Sequence, residues 1–203
     1  MRTTSGRRNL FGKLAFFVPL IIIVSIVLYA FFQVTSPGSL EVDALVHDKY
    51  LHTSSQGSPV QVSIQVSYAT GGSSKSGTTP VTLSLPPGTY TVAYATVNGY
   101  FRPTDRSVSV DSGIKSYAVG VYEAIPIFIS ITSVGFNSTA VSALNSVTPV
   151  IWINNSGSPL TLQLGSSGEY YLYPGQNHTQ LFQATGSTHF SIGTNVTGTV
   201  VVS

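Results

Sequence analysis

The chain has 203 residues, with nine Lys or Arg against seven Asp or Glu, four His and no cysteine. That length suits one or two small domains. Without cysteine there are no disulfide staples and no thiol chemistry, and a formal net charge of +2 with no basic cluster beyond the N-terminus leaves nucleic acid without a docking patch.

Residues 1–13 form a basic stub in which Arg2, Arg7, Arg8 and Lys13 stand without an acid. Residues 14–32, LAFFVPLIIIVSIVLYAFF, carry no charge and are interrupted only by Pro19 and Ser25. At about 1.5 Å per helical residue this run reaches roughly 28 Å, close to the hydrocarbon thickness of a bilayer, so a transmembrane helix is expected. The positive-inside rule then keeps the stub in the cytoplasm and sends the rest out: a single-pass cell-membrane protein with extracytoplasmic C-terminal domains. Tyr29, Phe31 and Phe32 would mark the outer interface. A cleaved signal peptide is the competing reading, but the apolar core exceeds the usual h-region of about 7–15 residues and no clean Ala-x-Ala site follows. A type IV pilin-like leader would need a short basic-Gly junction, which LFGKLAFF does not supply.

Beyond the stub, Lys49, Lys75, Arg102, Arg106 and Lys115 face all seven acids, and from 124 to 203 the only charged side chain is Glu169. A water-facing domain ordinarily carries far more charge. Ser, Thr, Asn, Gln and Tyr, attached sugars, or neighbours in an assembly must therefore solvate it. The composition resembles that of cell-surface proteins of acid-loving archaea. A neutral hydrogen-bonding surface changes little when carboxylates titrate at about pH 4.

Residues 33–39, QVTSPGS, read as a juxtamembrane linker. In PVQVSIQVSY, Val60, Val62, Ile64, Val66 and Tyr68 alternate with Gln61, Ser63, Gln65 and Ser67, a strand with one core face. GGSSKSGTT at 71–79 reads as a loose loop. PVTLSLPPGTYTVAYATVNGY then reads as strand, Pro-Pro-Gly turn, strand and Asn98-Gly99 turn, with Tyr90, Val92 and Tyr94 on one face. RSVSVDSGIKSYAVGVY adds two strands about Asp111-Ser112-Gly113. Residues 40–123 are thus one all-β unit. Through LSLPPGTYTVAYATVNGYFRPTDRSVSV at 83–110 it resembles the transthyretin-like or PEGA-like β-sandwich modules of surface proteins. That resemblance implies a spacer, binding or adhesion role and no reaction.

AIPIFISITSV, 124–134, is a hinge running into the first strand of a second domain, 124–203. Ile125, Ile127, Ile129 and Ile131 alternate with Phe128 opposite, so a strand buried on both sides or lying on the first domain is expected. VTPVIWINNSGSPLTLQL, YLYPGQNHTQLFQATGSTHFSI and VTGTVVVS follow in order, and over 126–203 the chain resembles the cupredoxin fold. The expected fold class is all-β: two tandem β-sandwich domains after a single N-terminal transmembrane helix.

Cupredoxin copper needs two imidazoles and a thiolate, often with an axial thioether. The resemblance puts Leu160 at the first histidine position, Ser191 or Ile192 at the cysteine and Val196 at the methionine. The loop GTN is too short for the second histidine. These degenerate ligand positions imply a sandwich without copper, and no cofactor is expected. His178, in the Pro-Gly-Gln turn, and His189, just ahead of the cysteine position, read as surface or hydrogen-bonded residues. His47, Asp48 and His52 in HDKYLH are spaced wrongly for one strand face and read as a solvated loop.

No nucleophile elbow, no HExxH and no phosphate-cradling glycine loop occurs, so no enzyme is expected. Glu41, Asp43 and Asp48, like Asp105 and Asp111 beside Arg102 and Arg106, read as wet or ion-paired surface. Four Asn-x-Ser/Thr sequons, at Asn137, Asn154, Asn177 and Asn195, fall on predicted turns or loops of the nearly uncharged domain, where glycans would hydrate it.

The expectation is a non-catalytic, membrane-anchored extracytoplasmic protein, acting as a binding or structural component of a cell-surface assembly. Its partners would be the membrane, exported or membrane proteins, and further copies joined through sheet edges such as TGTVVVS. The alternative is a copper-free accessory subunit of a membrane respiratory complex. Subunit II of haem-copper oxidases carries a membrane helix and a cupredoxin head, and its quinol-oxidising relatives have lost the ligands. The 40–123 unit has no place in that plan. A working copper carrier, the third reading, lacks its ligands.

Overall fold

The computed structural model describes residues 8–47 and 57–203, with side chains described for 19–32, 36–47 and 57–203. Residues 1–7 of the basic stub, and Asp48, Lys49 and His52, lie outside the described residues.

Helix α1 runs Arg8–Thr35, with Pro19 inside it. Over its described side chains, Leu20 through Phe32, the large apolar groups are exposed on every side. Among the described residues no helix is long and apolar enough to cross a membrane. The helix outruns the expected anchor and consumes half of the expected 33–39 linker. Ser36 N–H and Oγ both donate to Phe32 O, closing the last turn. Pro37, which disfavours helix in the residue before it, then forces the chain into an extended form.

The first sandwich comprises β1 (Gly38–His47), β2 (Ser58–Pro59), β3 (Ser63–Tyr68), β4 (Ser74–Thr78), β5 (Val81–Leu85), β6 (Gly88–Tyr94), β7 (Tyr100–Phe101), β8 (Arg106–Val110) and β9 (Lys115–Ala124). One sheet has the order β2-β1-β9-β7, with β5 also on β1, and faces a second sheet of order β4-β3-β6-β8. The period-two faces pack between them: Leu40, Val42 and Ala44 against Ile64, Val66, Tyr90, Val92 and Tyr94, with Ala118 and Tyr122 from β9. Burial of each Val, Leu or Ile side chain among them contributes about 1.5–3 kcal/mol.

Two details depart from the sequence reading. The expected loop 71–79 contains β4, which pairs with β3 from Ser63↔Thr78 to Ser67↔Ser74. As an edge strand with almost no core face, its Ser, Lys, Gly and Thr give no alternation to read. The Pro-Pro-Gly turn also joins no hairpin, since β5 pairs with β1 and β6 pairs with β3 and β8. Pro86 and Pro87 supply no N–H to a ladder, so the chain changes sheets there.

The second sandwich comprises β10 (Ile127–Thr132), β11 (Gly135–Phe136), β12 (Ala140–Ala143), β13 (Pro149–Asn154), β14 (Leu160–Leu164), β15 (Gly168–Leu172), β16 (Asn177–Leu181), β17 (Gly186–Ile192) and β18 (Val196–Val202). Its sheets have the orders β11-β10-β13-β16 and β12-β18-β17-β14-β15. Trp152 is fully enclosed at the centre, with Phe190 edge-on at 5.7 Å and Ile129, Ile131, Leu162, Leu164 and Val200 around it.

Ile125 and Pro126 link the two cores. Ile125 N–H donates to Gly99 O at 2.8 Å, and Gly99 sits directly against the side chains of Leu144 and Val147. The strand that follows is not buried on both sides. Ile129 and Ile131 are enclosed, whereas Phe128 on the other face is 52% exposed and Ile125 is 41% exposed. Nor is the C-terminal strand an edge, because β18 is held between β12 and β17. Homo-oligomerisation through TGTVVVS would require that pairing to break.

Gly120 shows how tightly the first core closes. A Cβ there would fall 2.6 Å from Tyr94 Cε1, and Tyr94 is itself buried. Gly120→Ala is expected to cost about 1–3 kcal/mol by overpacking, read as a lower urea midpoint with an unchanged slope.

Candidate functional site

The positions expected from the sequence to match cupredoxin ligands, Leu160, Ser191, Ile192 and Val196, lie at one end of the second sandwich, where β14, β17 and β18 meet. Leu162 pairs with Ile192, and Ile192 pairs with Val196 across the short 193–195 turn. Leu160 and Ile192 are half-buried against the core, and Ser191 Oγ donates to Gln163 Oε1 at 3.2 Å. Hydrocarbon and one neutral hydrogen bond occupy the place. Among the described residues no group of three His, Asp or Glu could hold a metal ion.

His189 stands on the outside of β17, its Nδ1 3.1 Å from Thr199 Oγ1. His178 differs from its expected place in a turn: it lies on β16, opposite Trp152, facing the core. Its ring stacks on Tyr170 with centroids 3.5 Å apart and lies 6.3 Å from Trp152. His178 Nε2 and Trp152 Nε1 are both buried without a hydrogen-bond partner. Burial pushes the imidazole below its ordinary 6.5, opposed by a hydrogen bond with Gln180.

The four sequons separate on burial. Asn137, Asn177 and Asn195 are exposed, while Asn154 is 0% exposed. Asn154 Nδ2 donates to Ser158 O at 2.8 Å and Leu172 O at 2.9 Å, and its Oδ1 accepts from the N–H and Oγ of Ser156. Both amide hydrogens are used, so no sugar can sit on this nitrogen in the folded chain. The side chain instead ties the end of β13 to the 155–159 turn and to β15. An Asx turn, in which an Asn side chain bonds to the backbone two residues on, is compatible with any sequon spelling, so the sequence does not distinguish the two.

In the first sandwich Glu41 and Asp105 are ion-paired at the surface. Glu41 pairs with Lys115, raising the lysine above its ordinary value chiefly through that hydrogen bond. Asp105 pairs with Arg102, whose Nε also donates to Tyr94 O. The sequence reading did not single out a shallow cleft of about 340 Å³ lined by Tyr68, Tyr90, Pro86, Pro87 and Lys75. Tyr68 and Tyr90 meet edge to face at 5.0 Å, Tyr90 Oη donates to Pro86 O, and Lys75 Nζ donates to Ser84 O. The cleft has a wall for contact and no nucleophile–base pair.

No family model matches the chain, and no curated protein matches it significantly. Solved structures with a related arrangement include the minor pilin of Streptococcus agalactiae, at 16% identity over 46% of this chain and 47% of that one, TM-score 0.40. A purple cupredoxin from Nitrosopumilus maritimus matches at 17% identity over 38% of this chain and 99% of its own, TM-score 0.33. A double mutant of the shaft pilin SpaA from Lactobacillus rhamnosus GG matches at 9% identity over 82% and 97%, TM-score 0.36. The chain spans about half the length of the minor-pilin chain. At these scores the likeness carries no role to this chain. The PEGA-like resemblance of 40–123 finds no support among the neighbours.

Two outcomes follow from the second sandwich. Asn154→Ala is expected to destabilise it by about 1–3 kcal/mol, because the buried Leu172 carbonyl loses its donor. His178 binds its proton less readily folded than unfolded, so stability is complete above 6.5 and falls as pH drops below it toward the depressed folded value. Denaturation midpoints compared between about pH 7.5 and about pH 5 should fall for the native chain, and fall less for His178→Phe, which keeps the stacked ring.

Proposed function

We propose that this chain is a non-catalytic protein anchored in the cell membrane by α1, presenting two β-sandwiches outside the cell as a binding or structural component of a surface assembly. One observation carries the reading: α1 exposes large apolar side chains around its whole circumference between Leu20 and Phe32. A helix that is hydrophobic all round needs an apolar medium. The uncharged sequence from Leu14 to Phe32 and the basic residues before it support a bilayer as that medium and give the orientation.

The rest of the molecule supports a binding rather than a reacting role. The second sandwich keeps a cupredoxin-like order of sequence segments while Leu160, Ser191, Ile192 and Val196 stand where ligands would be needed. The exposed Tyr171 and Tyr173, 5.2 Å apart and edge to face, offer contact area at low entropic cost. Such a protein works by what it touches.

The test is capture of the full chain from gently solubilised native membranes, followed by mass spectrometry and haem absorption. Exported envelope proteins without haem are the expected companions. Stoichiometric haem-bearing subunits would replace this reading with that of a copper-free respiratory accessory subunit. In the same preparation, titration with Cu(I) and Cu(II) should show no tight stoichiometric binding.

A further inference from the structure

The outer face of the sheet β11-β10-β13-β16 sets a solvation problem. Phe128, Ile151 and Ile153 take the positions alternate to Ile129, Ile131, Val150 and Trp152, which fill the core; Ile151 is itself buried, so the apolar surface left on this face is that of Phe128 and the partly buried Ile153. Phe128 is 52% exposed, and from 124 onward the only charged group in the chain is Glu169, on β15 of the opposite sheet.

The two edge strands of this sheet each present a sequon in one register row. Asn137 N–H donates to Ser130 O, Ser130 pairs with Ile153, and Ile153 pairs with Asn177. Three strand spacings separate the two asparagines, roughly 14 Å. Asn137 Oδ1 accepts the Ser130 N–H at 2.7 Å, which fixes the amide by its oxygen and leaves the nitrogen available. Asn177 is exposed, and Thr179, which completes its sequon, lies on the same face because His178 between them turns inward.

The geometry points to Asn137 and Asn177 as paired N-glycosylation sites whose sugars cover the apolar strip between them. Asn154, despite its sequon, is not an acceptor. The donor class is a lipid-phosphate-linked oligosaccharide. The amide nitrogen forms a bond to the anomeric carbon, the sugar–phosphate bond breaks, and the lipid phosphate leaves with the proton lost from the amide. An N-linked sugar removes one amide hydrogen and spares the carbonyl oxygen, so the Ser130 bond to Asn137 is retained. The sugar hydroxyls supply the hydration that side-chain charge does not.

This inference rests on the outward placement of the domain proposed above, and the two are separable. Protease shaving of intact cells reports export. Peptide mapping of the full chain from native membranes reports modification. Sugar mass on the peptides holding Asn137 and Asn177, lost in the Asn137→Gln and Asn177→Gln double variant, and absent from the peptide holding Asn154, is the expected result. A shaved chain with both peptides at their unmodified mass overturns the inference and leaves the functional reading standing. Protection from shaving overturns both. Sugar on Asn154 overturns the burial argument on which the selection among sequons depends.

Discussion

Each sandwich holds a parallel strand pair, and in the first it joins distant parts of the chain. In the first, β1 and β9 run side by side from Ser39↔Lys115 to His47↔Glu123, joining the unit's first strand to its last. Without that pair, β2 and β5 have a partner in β1 but no sheet to belong to, and Ala118 and Tyr122 have no core to enter. In the second, β10 pairs with β13 from Ile127↔Val150 to Ile131↔Asn154, which brings Trp152 across from Ile129. Loop-closure entropy rises slowly with length, so such distant pairing is tolerated thermodynamically while making the fold slow to assemble. The two pairs follow one another directly through Ile125 and Pro126, and the Gly99 contact braces the join.

Neutral hydrogen bonds take the part that ions and disulfides play elsewhere. Asn154 spends its whole hydrogen-bonding capacity on one turn and one neighbouring strand. Thr79, almost fully buried, accepts from Val62 N–H and donates to Val60 O, fixing the entry to β3. Asn155 Nδ2 reaches Ser130 Oγ at 2.8 Å across the sheet. None of these contacts changes when carboxylates titrate. Tyr94, pushed to about 12 chiefly by burial, stays neutral as well. His178 is the exception, a titratable ring set against the core with its Nε2 unpartnered.

The period-two faces were legible because burial follows strand alternation directly: Val62, Ile64 and Val66, then Tyr90, Val92 and Tyr94, all face the core. What could not be read was which sheet a strand would join. Pro86 and Pro87 look like a hairpin turn but pass between layers, and β4 lacks alternation because an edge strand has little to bury. Phe128 reads in sequence as the second buried face of its strand, yet it is 52% exposed, since sequence records hydrophobicity and not how far a face is covered. Likewise four sequons read alike, and only three-dimensional burial separates Asn154 from Asn137, Asn177 and Asn195. His178 was assigned to a turn because Pro174-Gly175 precedes it closely, yet β16 begins already at Asn177.

At one end of the second sandwich the packing itself opposes a metal ion. A copper ion would have to displace Leu160 and Ile192 from their contacts with the core, and burying a charged centre among hydrocarbon without thiolate or imidazole ligands is strongly unfavourable. Branched side chains at these positions instead extend the core to the tip of β14 and β17, where Ile192↔Val196 closes the hairpin. The strands that meet at this end serve to bury Trp152, with Leu162, Leu164, Phe190 and Val200 packed in the same core, so hydrophobic burial alone accounts for the side chains found there.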